Sequence, residues 1–158
     1  MANRITKSDE QLKPDPRFNS KQLSRFINSI MKDGKKATAQ RIVYRAFDEI
    51  AERTGGNPSP IEVFEKAIEN VRPNVEVRSK RVGGANYQVP MSVSRRRQQS
   101  LAFRWIIESA RSDRGKPMHL RLARELLDAS NGEGRAVSTR AQTHRMAEAN
   151  KAFSHFAW

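Results

Sequence analysis

Apolar residues recur at helical spacing along most of this chain. After Pro14-Asp15-Pro16, which cannot lie inside a helix, Leu23, Phe26, Ile27 and Ile30 fall on one stripe, with Asn19 or Ser20 placed to cap its start. The spacing predicts a first helix ending near Asp33-Gly34. A second carries Ile42, Val43, Ala46, Phe47 and Ile50 and stops at Thr54-Gly55-Gly56-Asn57-Pro58. The third has the clearest start. Ser59 is a natural N-cap and Pro60 takes the first helical position, where its missing N–H costs nothing. Glu62 then completes a Ser-x-x-Glu capping box ahead of Val63, Phe64, Ala67 and Ile68.

The period then changes from 3.6 to 2. Val75 and Val77 alternate with Glu76 and Arg78, Gly83-Gly84 supplies a turn, and Tyr87 and Val89 alternate with Asn86 and Gln88 as far as Pro90. This predicts a β-hairpin over residues 74–90. Being the only strand pair in the pattern, it must protrude as an arm or lie flat on helices, because two isolated strands are marginal in water. Three more helices follow. One runs from about Ser94 to Arg111 with Leu101, Ala102, Trp105, Ile106 and Ile107, and the next begins at Pro117 with Met118, Leu122, Leu126 and Leu127. The last spans about Val137 into Phe153 or beyond, and its weak apolar face suggests that a partner completes it. The fold expected is mostly α: a single bundle of about six helices, one protruding β-hairpin between the third and fourth, and an extended tail over residues 1–18.

Composition narrows the function. The 158 residues include 30 Lys+Arg against 17 Asp+Glu, a formal charge of +13, and 37% are apolar, enough for one modest core. A compact chain this basic is most easily understood if a polyanion neutralises it, nucleic acid first and an anionic membrane second. No stretch approaches the roughly 20 apolar residues of a membrane helix, and no apolar segment follows the charges of Met1-Ala2-Asn3-Arg4-Ile5-Thr6-Lys7, so a soluble, cytoplasmic protein is expected. With zero cysteines there is no disulfide framework, thiolate zinc site or thiol nucleophile.

The charge is also localised. Residues 72–97 hold Arg72, Arg78, Lys80, Arg81, Arg95, Arg96 and Arg97 against the single acid Glu76, a net +6. On the ribbon, Lys80 and Arg81 suit phosphates, Gly83 and Gly84 flex the tip, Asn86 suits base or sugar edges and Tyr87 suits stacking. The competing explanation is a solvated ribbon with its Val and Tyr side chains turned to the core. Arg95, Arg96 and Arg97 crowd the first turn of a helix, where each cation costs ~0.3–1 kcal/mol against the macrodipole. A docked phosphate reverses that sign; hydration of splayed charges is the alternative. Lys32, Lys35 and Lys36 around Gly34 repeat the theme more weakly.

Catalytic patterns are thin. Gly34-Lys35 lacks the rest of a phosphate-binding loop, and His119, His144 and His155 have no metal-ligand spacing. Glu62, Glu65 and Glu69 share a helical side, but with Lys66 among them they resemble a solvated face. No enzyme, metal, cofactor or small-molecule substrate is expected. An architectural DNA-binding arm would carry an apolar wedge at its tip, and Gly83-Gly84 has none.

Several blocks also match a known family. Asp15-Pro16, Met31-Lys32-Asp33-Gly34-Lys35-Lys36, Lys80-Arg81-Val82-Gly83-Gly84-Ala85-Asn86-Tyr87-Gln88-Val89-Pro90, Ala102-Phe103-Arg104-Trp105-Ile106-Ile107 and His144-Arg145-Met146-Ala147-Glu148-Ala149-Asn150-Lys151-Ala152-Phe153 occur in order. From Asp15 onward the chain resembles the bacterial-type small-subunit ribosomal protein seven family. The resemblance implies a single ribosomal RNA-binding domain over residues 1–158, a primary binder of the 3′ major domain of small-subunit rRNA that nucleates head assembly. It implies a ribbon near the exit-site tRNA and the mRNA path, and small-subunit proteins nine and eleven as neighbours. The rRNA contacts expected are Arg4, Lys7, Lys13, Arg17, Lys32, Lys35, Lys36, Arg72, Arg78, Arg95, Arg96, Arg97, Arg111, Arg114 and Lys116. The tRNA- and mRNA-proximal set is Lys80, Arg81, Gly83, Gly84, Asn86 and Tyr87, and His155, Phe156 and Trp158 are expected protein contacts. The tail cations Arg4, Lys7, Lys13 and Arg17 are fewer than the family pattern implies, and Ser138-Thr139 stands where lysines are usual.

Overall fold

A computed structural model of the chain describes residues 8–157. One helical turn, α1 (Ser8–Gln11), precedes α2 (Lys21–Ile30), α3 (Lys36–Thr54) and α4 (Pro60–Val71). The hairpin β1 (Val75–Val82) and β2 (Ala85–Ser92) leads into α5 (Arg95–Ser112), α6 (Met118–Ser130) and α7 (Arg135–Ala149), followed by a 3₁₀ segment, Lys151–Phe156. The sequence therefore marked each longer helix, and the boundaries shift by a few residues. Ser20 is the cap of α2, its Oγ accepting from the Leu23 N–H. At α4 the Ser59 N–H donates to Glu62 Oε2 across 3.0 Å, closing the capping box.

The apolar stripes meet in one core. Phe26 of α2 lies 5.1 Å from both Phe64 of α4 and Phe103 of α5, and Phe47 of α3 sits 5.8 Å from Phe64, ring centroid to centroid. Helix α6 packs against α3, α4, α5 and α7, burying Leu122 and Leu126 completely.

The tail expected to run extended through residue 18 is anchored from Asp15. That carboxylate is buried, accepting from the Arg17 and Phe18 N–H groups at Oδ2 and from the Tyr44 hydroxyl at Oδ1, 2.6 Å away. Phe18 then packs edge-on against Phe47. A buried acceptor with three donors is satisfied, so this stretch is held to α3 rather than free.

The ribbon is antiparallel from Val75↔Ser92 to Val82↔Ala85, so β2 continues two residues past Pro90. Gly83 and Gly84 have φ of 58° and 85°, the left-handed pair that a two-residue type I′ turn requires. Helix α7 packs on both strands and the 3₁₀ segment packs on β2. The last helix does not run into Phe153. It ends at Ala149, where the Asn150 N–H and Nδ2 both turn back to the Met146 carbonyl. Its weak apolar pattern reflects how it docks: besides the buried Ala136 and Ala147, polar groups hold it, with Arg140 Nε donating to the Arg72 carbonyl and His144 Nε2 accepting from the Asn74 N–H. Burial, reinforced by Arg140, pushes the His144 pKa below its ordinary value, consistent with a neutral ring acting as acceptor.

Candidate nucleic-acid interface

Three connected depressions gather the cations. In the first, Arg25 and Ser29 of α2 line a groove with Arg96, Ser100, Arg104 and Arg111 of α5, over the apolar side chains of Phe103 and Ile107. Arg111 also lines the second, with Lys32 and Lys35 from the loop before α3 and Thr38 from its first turn. Arg121 is shared between the second and the third, where Arg53, Arg114, Lys116 and Arg124 gather with Asp113 and Asp128. The result is one basic track along the α2–α5 face and round the end of α5.

Helix geometry explains the alignment. Arg96, Arg104 and Arg111 are eight and seven residues apart, which at 3.6 residues per turn keeps them within about 80° of one another on one side of α5. Arg111 is steadied by Nη2 donating to the Ile30 carbonyl, 3.0 Å away, which closes the exposed end of α2. Arg121 does the same for α5, its Nη1 donating to the carbonyls of Ala110, Arg111 and Asp113. Sequence reasoning missed Arg25, Arg53, Arg104, Arg121 and Arg124; the periodic arginine spacing on α5 was the available signal for Arg104.

The residues around the ribbon root form a second group. Glu69 Oε2 lies 3.3 Å from Arg72 Nε and 3.4 Å from Arg95 Nη2. Glu76 takes Arg78 Nε at 2.7 Å on one oxygen and Arg97 Nε at 3.3 Å on the other. Glu76 is buried, while Val75 and Val77 are half-buried, so the inward position of this alternation belongs to the acid. Ser94 caps α5 directly beside it, its Oγ accepting from the Arg97 N–H.

Arg72 departs from its expected place on the RNA surface. It is only 8% exposed, and its terminal nitrogens donate to the Arg95 carbonyl and to Gln99 Oε1, tying the end of α4 to α5. Burial, with Arg95 adding to it and Glu69 opposing, lowers its pKa from the ordinary arginine value. Its role is internal, because a guanidinium this deeply buried, with both terminal nitrogens turned to α5, is withdrawn from the surface where a phosphate would dock.

Other expected residues divide similarly. Lys13, Lys32, Lys35, Lys36, Arg96, Arg114 and Lys116 are exposed, with Lys36 Nζ donating to Asn28 Oδ1. Arg17 pairs with Asp48 and lies about 5 Å over the rings of Phe18 and Tyr44. On the ribbon, Arg81 and Asn86 are exposed. Tyr87, considered for base stacking, instead has its ring 5.1 Å from both Phe153 and Phe156, and Lys80 Nζ donates to the Phe156 carbonyl, 2.7 Å away. Phe156, considered for a neighbouring protein, is thus half-buried against the ribbon, while His155 is exposed beside it. Arg4, Lys7 and Trp158 lie outside the described residues. Among the described residues, no group of three or more His, Cys, Asp or Glu could hold a metal ion, and no helix is long and apolar enough to cross a membrane.

The ribosomal protein S7p/S5e family matches residues 2–151. The chain belongs to this family. It is similar to the small ribosomal subunit protein uS7 of Rhodopirellula baltica, 59% identical over 98% of this chain and 99% of the relative. The proteins of the same name from Methylobacterium radiotolerans and Acidiphilium cryptum are 53% and 52% identical, each over the whole of both chains. Members of this family are structural, non-enzymatic components of the ribosome.

Proposed function

We propose that this protein is a primary binder of the 3′ major domain of small-subunit rRNA and nucleates assembly of the subunit head. The observation that carries this reading is the continuity of the basic track: Arg111 and Arg121 join three depressions lined from α2, α3, α5 and α6. Such a surface can take phosphates from separated RNA helices at once, lowering the repulsion that opposes their close packing. The rigid aromatic core holds those cations at fixed spacing, so their ordering cost is met during folding rather than on binding.

The ribbon lies near the exit-site tRNA and the mRNA path, offering Arg81, Gly83, Gly84 and Asn86 at its tip. Small-subunit proteins nine and eleven are its protein neighbours, the eleventh meeting the C-terminal helix. The bacterial small subunit is a cytoplasmic particle, which sets the compartment. Sedimentation of a cell extract containing the tagged protein, at low and high magnesium, tests the assignment. Retention on small subunits is the expected result; co-migration with DNA, or with neither, overturns it.

A further inference from the structure

Between Arg72 and Arg97 the cations have an obvious electrostatic use, but the single acid of that stretch, Glu76, does not. Glu76 is 9% exposed and carries negative charge into the most basic part of the chain. If net charge alone governed polyanion binding, removing it would strengthen the interaction. Its geometry points the other way. Its two oxygens reach cations on different elements, Arg78 on β1 and Arg97 on the first turn of α5, and each arginine meets the carboxylate through Nε.

An arginine held at Nε keeps its terminal nitrogens for a second anion, and among the described residues those of Arg78 and Arg97 have no other partner. Both side chains remain partly exposed, at 46% and 35%. Two guanidinium groups fixed by one buried carboxylate lose less rotamer freedom when a phosphate arrives than two free arginines would. The Ser94 cap adds to this, because it sets the backbone of the turn that carries Arg97.

We infer that Glu76 is a positioning residue for RNA binding: it presents Arg78 and Arg97 as a preorganised pair for backbone phosphate at the junction of ribbon and helix. This rests on the RNA-binding reading above and adds to it a residue whose sign is opposite to that of its ligand.

The test compares Glu76→Gln, Glu76→Asp and the double variant Arg78→Gln/Arg97→Gln with the unaltered protein, titrating a transcript of the rRNA 3′ major domain at several salt concentrations. Glu76→Gln is expected to weaken binding roughly threefold to tenfold although it raises the net charge, and to flatten the salt dependence by about one phosphate contact. Glu76→Asp, which keeps the charge on a shorter stem, recovers part of the loss. A merely structural role would lower the melting temperature and the active fraction while leaving the salt slope of the folded protein unchanged. Circular dichroism melts and stoichiometric titration of the RNA-binding fraction separate these outcomes. An unchanged or steeper slope for Glu76→Gln, or tighter binding, overturns the inference. If instead the double arginine variant binds the transcript as well as the unaltered protein, the RNA-binding reading of this surface fails and not merely the role of Glu76.

Discussion

Replacing Arg95, Arg96 and Arg97 together with Gln perturbs the interface where charge and helix geometry conflict most. The structure indicates little cost to the fold. Arg95 pairs at 3.4 Å with the exposed Glu69, worth about 0–1 kcal/mol, whereas Arg97 pairs at 3.3 Å with the buried Glu76, which keeps Arg78 at 2.7 Å, so its loss costs about 1–3 kcal/mol. Against that, removing three cations from the first turn of α5 relieves ~0.3–1 kcal/mol apiece. The two contributions nearly cancel. Ser94 still caps the helix, Glu76 still holds Arg78, and Arg72 still reaches the Arg95 carbonyl, which is backbone. The melting temperature should therefore move by no more than about 2–4 °C.

RNA binding should change far more. Losing three phosphate contacts reduces the magnitude of the salt slope by about two to three, so between about 50 and 200 mM salt the variant sheds roughly 20- to 40-fold less affinity than the unaltered protein. Anisotropy titrations of a labelled 3′ major-domain transcript across that range measure it, with circular dichroism melts in parallel. An identical slope in both proteins would mean that the start of α5 is solvated in the complex. A large fall in melting temperature would mean that the ion pairs at the ribbon root stabilise the fold more than their exposure allows.

Three further outcomes concern the body of the protein. Phe64→Ala removes the ring that joins Phe26, Phe47 and Phe103 and should cost about 3–5 kcal/mol in denaturant unfolding; a loss under about 1 kcal/mol would contradict the aromatic seam. Burial and the Asp15 partner raise the Tyr44 hydroxyl to about 12, so its hydrogen bond stabilises fully below the ordinary tyrosine value of 10 and fades as pH rises through about 12. Tyr44→Phe should cost about 1–3 kcal/mol at neutral pH and abolish that alkaline fade, which unfolding measured against pH reads directly. Burial also raises the Glu125 pKa, although the carboxylate accepts from the Ala136 N–H at the start of α7. A raised carboxylate pKa favours folding below the unfolded value and loses that benefit as pH climbs through the folded one. Glu125→Gln should thus gain stability relative to the unaltered protein as pH rises from acid to neutral, and a widening deficit would refute the sign.

The parts of the fold that were readable in the sequence are those governed by local rules. Periodicity exposed the stripes of α2 to α6, Ser59 and Glu62 wrote their own capping box, and Gly83-Gly84 supplied the two positive-φ residues that a two-residue type I′ hairpin turn needs. What escaped depends on partners distant along the chain. Strand alternation cannot say which face is inward, and Glu76 is inward because Arg97, 21 residues later, neutralises it. Tyr87 looked available for a base because its neighbours Phe153 and Phe156 belong to a segment with no period of its own. Arg72 looked like a surface cation because nothing nearby in sequence announces the α5 carbonyl and Gln99 that accept its protons. For the interface, clustered arginines were visible, whereas Arg25 and Arg104 meet across a groove that exists only after α2 and α5 pack.

Selectivity decides whether this fixed basic surface recognises one region of small-subunit rRNA. Equilibrium competition at physiological salt should set the 3′ major-domain transcript against a 5′-domain transcript of equal length and against duplex DNA. Preference for the 3′ major domain over both, by about 100-fold or more and lost together with the basic track, is the expected result. Equal affinity for all three, explained by charge alone, would contradict it.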